Sequence, residues 1–288
     1  MFSRIVAIFK LTRIEHSIML VIAVLAAELI ANRTLPSMFI ILMSFITPIF
    51  ISMGSFAIND YFDIDVDRLN KRIDRPLVNK SISLDSASYI AIASFAIGVI
   101  ASLFISIGAF IIAFMFAVLA FLYSYKLKEM LLIGNMYIGL SMMIPFIYGS
   151  YVASYAISYP IIIISLTVFF SGIAREVHGT IRDYKGDRKR GVRSLPTYVG
   201  IYGSAIVAAI SYLIAIILSI YLFFVNGLFH YNIFYIIMIS IVDVILVYVS
   251  IIYMKKELRT RKLFDRSRNL SLAAMGFALI IYFLAYFV

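Results

Sequence analysis

Apolar residues in this chain come in long uninterrupted runs rather than in the short periodic patches of a soluble domain. A helix needs about 20 apolar residues to cross a hydrocarbon core of ~30 Å. Roughly nine segments meet that length, at 14–32, 36–58, 87–106, 108–125, 131–153, 158–175, 198–225, 232–254 and 269–288. Polar residues collect between them, unevenly. Lys and Arg fall at Arg4, Lys10 and Arg13, in 68–80, at Lys126 and Lys128, in 175–193 and in 255–268, while Arg33 alone occupies the alternate connections. With nine spans, every basic segment lies on one side, which the positive-inside rule makes cytoplasmic, with the N-terminus in and the C-terminus out. Run length and charge side are independent signals, and they agree. The expected fold class is an all-α integral membrane protein of about nine transmembrane helices, one domain over 1–288, with two acidic/basic cytoplasmic loops over a central apolar cavity.

Composition narrows this picture. With 63% hydrophobic and only 14% charged residues, a water-soluble domain is excluded. Cysteine is absent, which removes disulfides and thiolate metal sites, and without tryptophan any interfacial belt must be built from Tyr and Phe. The net charge of +10 reads as topology and attraction to anionic membrane lipid of the cell membrane, with no nucleic-acid partner needed to explain it. No cleavable signal peptide is expected. Phe2, Ile5 and Phe9 alternate with Arg4, Lys10 and Arg13, as in a short helix lying in the interface or a topogenic basic tail.

Two of the connections carry candidate chemistry. Directly after the second apolar run stands Asn59-Asp60-Tyr61-Phe62-Asp63-Ile64-Asp65-Val66-Asp67. If the helix continues, Asp60, Asp63 and Asp67 share a face, and so do Asn59, Asp63 and Asp67. Carboxylates this close repel one another, and a bound cation relieves the repulsion. After the sixth run, Asp183 and Asp187 stand one helical turn apart, Glu176 lies two turns earlier, and Gly186 frees the backbone between them. Arg182, Arg188, Lys189, Arg190 and Arg193 surround these acids. Both loops run from acids to bases to a proline, four spans apart, which suggests an internal duplication with a site between repeats. Mg²⁺ takes oxygen ligands and shares them between one or two carboxylates and substrate phosphates, while Arg and Lys hold the remaining phosphate charge. A diphosphate bridged through Mg²⁺ to both loops accounts for acids and bases together. The plainer alternative is a set of solvated loop charges making surface salt bridges.

The string Asn59-Asp60-x-x-Asp63-x-x-x-Asp67 resembles the first aspartate motif of the UbiA superfamily of intramembrane prenyltransferases. Asp183-x-x-x-Asp187, after Arg175-Glu176 and before Ser194-Leu195-Pro196, resembles its second. Asp67-Arg68-x-Asn70-x-x-x-Asp74-Arg75-Pro76-Leu77 is similar to the family's first loop, and Tyr123-Ser124-Tyr125-Lys126-Leu127-Lys128 with Gly134-Asn135 to the segment after its fourth span. In that segment the family often shows Tyr-x-x-x-Lys, whereas here Ser124 stands four residues before Lys128 and Tyr123 is one position off.

The resemblance implies transfer of a polyprenyl group from a prenyl diphosphate to a lipophilic acceptor, with release of pyrophosphate. It implies Mg²⁺ held by Asn59, Asp63, Asp67, Asp183 and Asp187, and a diphosphate gripped by Arg75, Lys128 and Arg182. Asp60 is a catalytic candidate, either as a further metal ligand or as the orienter of a basic partner. Tyr123, Lys126 and Asn135 are implied substrate contacts. Arg13 could face an acidic acceptor, or serve only as a positive-inside anchor. Two acceptors compete. An Ile-rich, cysteine-free composition suits a thermophile and geranylgeranylglyceryl phosphate, while the entry Arg13-Ile14-Glu15-His16-Ser17 resembles members acting on aromatic quinone precursors. A membrane alcohol phosphotransferase would need Asp-Gly and Ala-Arg within its acidic run, and 59–75 has neither. A cation-coupled transporter would carry its acids at mid-membrane. Of the remaining polar residues, Glu28 is expected to snorkel to water and Asp243 to pair within the bundle. His178 is expected to touch substrate or satisfy a loop carbonyl.

Overall fold

The computed structural model describes residues 2–130, 133–189, 194–255 and 260–287. Every long apolar run forms a helix. After α1 (Phe2–Thr12) come α2 (Ser17–Asn32), α3 (Met38–Phe62), a short α4 (Ile64–Leu69), α5 (Leu84–Leu103) and α6 (Ile107–Tyr125). The second half follows as α7 (Ile133–Ser154), α8 (Tyr159–Lys189), α9 (Leu195–Leu222), α10 (Ile233–Met254) and α11 (Arg261–Leu284). Among the described residues nine helices are long and apolar enough to cross a membrane. The chain is therefore a multi-pass membrane protein.

Hydropathy located the lipid-embedded parts and underestimated helices that continue into water. The sixth run stops at 175, yet α8 has 31 residues, and at 1.5 Å per residue it is about 46 Å long. Its last turns must project beyond the ~30 Å apolar slab and carry the second acidic motif into the aqueous rim. α11 likewise begins at Arg261, eight residues before the run at 269, through a charged first turn. The acidic run of the first loop is two helices in series. Asp63 ends α3 and begins α4 at φ −88°, ψ 1°. The hydrogen bonds Asp63 N to Asn59 O (3.0 Å) and Asp67 N to Asp63 O (2.8 Å) carry the register across. α9 breaks at Gly200, whose φ of 73° is open to glycine and strained for other residues.

The spans form a ring. α2 packs on α3, α3 on α5 and α6, α6 on α7, α7 on α8, α8 on α9, α9 on α10, and α10 on α11, which returns to α2. α2 also packs on α7. Each half pairs its second and third spans extensively, α3 with α5 and α8 with α9, as a repeated four-helix unit would. Lipid offers helices no hydrophobic gain for associating, so close backbone approach and dispersion carry the packing. At Gly98 an added Cβ would lie 2.9 Å from the Thr47 carbonyl, and at Gly149 it would overlap the Val24 carbonyl.

The first acidic loop is anchored by its own apolar cluster. Ala7 and Leu11 of α1, Ala57 and Ile58 of α3, and Ile64, Leu77 and Ile82 pack together under it. α1 turns Ile5, Val6, Ile8 and Phe9 outward, as a helix lying along a membrane surface does. Replacing Gly149 by Val is expected to lower stability by about 1–3 kcal/mol through overpacking, read as a lower thermal midpoint in detergent. Gly186→Ala should leave that midpoint unchanged or raise it, because nothing lies within 4 Å of the added Cβ.

Candidate active site at the charged rim

One carboxylate organises the first loop. Asp60, in the last turn of α3, is 2% exposed. Its Oδ1 accepts from Arg13 Nη2 at 2.6 Å and from Arg75 Nη1 at 2.6 Å. Arg13 reaches it from the turn between α1 and α2, in a left-handed conformation (φ 46°, ψ 47°). Its guanidinium lies 4.7 Å from the centroid of Phe56, one turn before Asp60. Arg75 is also near Asp67, with Nε 3.9 Å from Oδ2. Asp60 Oδ2 and Arg75 Nε are both buried without a hydrogen-bond partner.

A second group forms around Asp63. Its Oδ1 accepts from Lys128 Nζ, in the 3₁₀ turn after α6, and its Oδ2 accepts from Asn59 Nδ2 at 3.0 Å. Burial pushes the Asp67 carboxyl above the usual aspartate range, and the charge of Asp63 adds to that. Asp74 is lowered by its bond from Arg72, which donates to both its oxygens at 3.1 Å. That pair shapes the turn presenting Arg75. Across the rim, Arg182 donates to both oxygens of Asp183, at 2.9 and 2.6 Å. The side chains of Asp187 and Lys189, and Arg190 and Arg193 entirely, lie outside the described residues. Arg188 donates to Tyr184 Oη at 3.4 Å.

Beneath the rim lies a cavity of about 820 Å³. Arg13, Asn59 and Tyr123 line it near the charged face, and Met19, Ile51, Phe116 and Leu246 are among its apolar walls. Tyr123 stacks on Tyr137 at 4.0 Å, so the ring lines the wall although it breaks the Tyr-x-x-x-Lys spacing. Asp243, at the middle of α10, lines the same cavity and accepts from Ser219 Oγ at 3.2 and 2.9 Å, pairing within the bundle as expected.

Among the described residues Lys126, which caps α6 and is exposed, forms no ion pair, and Asn135, half-buried at the start of α7, makes no side-chain hydrogen bond. Glu28 does not snorkel. It is fully buried, and neither oxygen has a geometric hydrogen-bond partner, although the Ser44 hydroxyl lies close. His178 touches no loop carbonyl: both ring nitrogens are buried without partners, and the ring stacks on Tyr253 at 3.7 Å. Sequence reasoning missed Phe56 beneath Arg13 and Tyr137 against Tyr123. It also assigned Arg268 to topology alone, whereas Arg268 shares a cavity with Arg175. No spacing signal joins residues so far apart in the chain. Among the described residues no three His, Cys, Asp or Glu side chains stand close enough to hold a metal by themselves.

A ring of apolar helices closing on a chamber whose mouth carries paired aspartates, arginines and a lysine defines an intramembrane enzyme for an anionic, lipid-tailed substrate. The model of the UbiA prenyltransferase family matches residues 20–274, and the chain belongs to that family. It is a prenyltransferase. It is 35% identical over 281 residues to the digeranylgeranylglyceryl phosphate synthase of Archaeoglobus fulgidus, covering 96% of this chain and 94% of that one. It is 32% identical to the synthase of Sulfurisphaera tokodaii, over 85% and 87% of the two chains. Among solved structures, one of a digeranylgeranylglyceryl phosphate synthase superposes with a TM-score of 0.81 at 28% identity, covering 98% of each chain. A UbiA homolog from Archaeoglobus fulgidus bound to GPP and Mg²⁺ shares the fold, with a TM-score of 0.68 at 18% identity, over 96% of this chain and 99% of that one.

Asp60→Ala would leave two half-buried guanidinium groups without their shared carboxylate. The expected loss is on the order of 2–4 kcal/mol of stability, measured by thermal unfolding in detergent. Arg13→Gln alone should cost less, because Arg75 still neutralises Asp60.

Proposed function

We propose that this chain transfers a geranylgeranyl group from its diphosphate to the free hydroxyl of geranylgeranylglyceryl phosphate. The allylic C–O bond to diphosphate breaks and a new ether C–O bond forms. Pyrophosphate leaves, taking the hydroxyl proton. The enzyme works in the cell membrane, with its N-terminus and charged rim on the cytoplasmic side, as the distribution of Lys and Arg supports. The observation that carries the reading is the placement of a rim of paired acids and bases directly over the apolar chamber, with Asn59 and Arg13 belonging to both. The names of the relatives supply the acceptor class, and the end-to-end coverage of the Archaeoglobus synthase favours it. The aromatic-acceptor alternative loses its anchor, since Arg13 is committed to Asp60 and lies on Phe56.

The donor set suits Mg²⁺. Asn59, Asp63 and Asp67 offer an amide oxygen and carboxylates on successive helical turns, and Mg²⁺ needs only one or two carboxylates when phosphates complete its shell. Asn59, Asp63 and Asp67, with Asp183 and Asp187 from the opposite loop, would hold it. Bound there, Mg²⁺ supplies Lewis-acid neutralisation of the departing diphosphate. Lys128, which donates to Asp63, would offer its ammonium to a phosphate oxygen. Arg75 grips the diphosphate through its unpartnered Nε while Asp60 holds its other end in place. Arg182 serves the same anion from the second loop. Tyr123 lines the passage of the prenyl tail, and the apolar walls keep water from the allylic cation.

Purified protein in lipid nanodiscs should convert geranylgeranyl diphosphate and geranylgeranylglyceryl phosphate to the doubly prenylated ether lipid, identified by mass spectrometry. A chelator should abolish turnover and added Mg²⁺ restore it. Asp63→Ala or Asp183→Ala should lower kcat/KM by about a hundredfold or more. Turnover near the wild-type level in either variant, or a prenylated aromatic as the sole product, would overturn the reading.

A further inference from the structure

A second hollow, of about 350 Å³, opens at the rim between α8 and α11. One face of α8 supplies Arg175, Gly179 and Arg182, at i, i+4 and i+7, and α11 supplies Arg268. Thr180, Glu176 and Asp183 complete the lining. Arg182 is committed to Asp183 by two hydrogen bonds. Arg175 and Arg268 are not committed: among the described residues neither forms an ion pair, and Arg175 Nε is buried without an acceptor. The two guanidinium groups are close enough to repel each other, and the Glu176 carboxylate is near both. Over Gly179 the space is open, with nothing within 4 Å of where a Cβ would stand. Two like charges held beside an open polar hollow are arranged to favour an anion between them.

We infer that this hollow binds the phosphate monoester of the acceptor lipid. The inference rests on the acceptor proposed above. In a glycerol bearing one ether and one phosphate, the free hydroxyl is at most two carbons from the phosphate. When that hydroxyl reaches the allylic carbon, the phosphate therefore sits next to the diphosphate. Its site must adjoin the diphosphate site, must not be the same site, and must carry enough positive charge to hold two anions side by side. The hollow meets each condition. Asp183 is shared with the proposed metal set, Arg175 and Arg268 are not part of the diphosphate grip, and both guanidinium forks match a phosphate's oxygens. The Thr180 hydroxyl, which donates to the Val177 carbonyl at 2.8 Å, is free to accept or to switch. With three arginines against Glu176 and Asp183, the lining keeps a net positive charge, and Glu176 gives a monoester an advantage over a more highly charged diphosphate.

The test is steady-state kinetics of the full chain in nanodiscs, with each substrate varied separately. Arg268→Gln is expected to raise KM for geranylgeranylglyceryl phosphate about tenfold or more, the worth of one charge-assisted hydrogen bond, while KM for geranylgeranyl diphosphate stays within about twofold. Inorganic phosphate should inhibit the wild type competitively against the acceptor and not against the donor, and should do so more weakly in Arg268→Gln. If Arg268→Gln does not fold, Gly179→Leu decides, since its side chain fills the hollow and predicts the same selective rise. An equal rise in donor KM, or an unchanged acceptor KM, overturns the assignment while leaving the reaction intact. Failure of the wild type to use this acceptor at all would instead overturn the proposed function.

Discussion

The structure of the rim depends on one buried carboxylate. Asp60 sits at the end of a membrane span, where a bare charge costs several kcal/mol to desolvate. Arg13 and Arg75 meet at a single one of its oxygens. Those two bonds join the turn before α2, the end of α3 and the loop after α4. They bring two basic residues to the mouth of the chamber without placing a free positive charge in it. Phe56 supports the arrangement by giving Arg13 an aromatic face to rest on, so the guanidinium is held from two directions.

Around that centre the charges follow a consistent logic. Each acid of the first loop already has a basic or amide partner: Asp60 its two arginines, Asp63 Lys128 and Asn59, Asp67 the flank of Arg75. At that loop, acid and base are therefore matched locally. The second loop is different. Arg182 and Asp183 satisfy each other, and Arg175 and Arg268 remain unmatched beside an open hollow. The acids of one loop are paired, whereas the hollow beside the other has three arginines against two acids.

The chamber below is shaped by close helix approach. Glycine at 98 and 149 lets α5 reach α3 and α7 reach α2, and the ring closes through α11. Among its polar groups Asp243 accepts from Ser219 and Tyr148 keeps an unpartnered hydroxyl, while Glu28, buried elsewhere in the bundle, keeps two unpartnered oxygens. His178, flat against Tyr253, behaves as an aromatic packing residue rather than a base.

The sequence by itself determined the helical membrane architecture, the side on which charge gathers, and the spacing that puts Asn59, Asp63 and Asp67 on one face. Hydropathy and helical periodicity are local properties that neighbouring residues state directly. It misjudged the ends of α8 and α11, because a helix in water no longer needs apolar residues and hydropathy falls silent there. It could not say which base meets which acid. Arg13 lies 47 residues from Asp60, and Lys128 lies 65 from Asp63. Arg268 reaches Arg175 only because α11 packs on α8. Those meetings were decided by the order of helices around the ring, since an ion pair depends on distance in space, and that distance is set by packing rather than by separation along the chain.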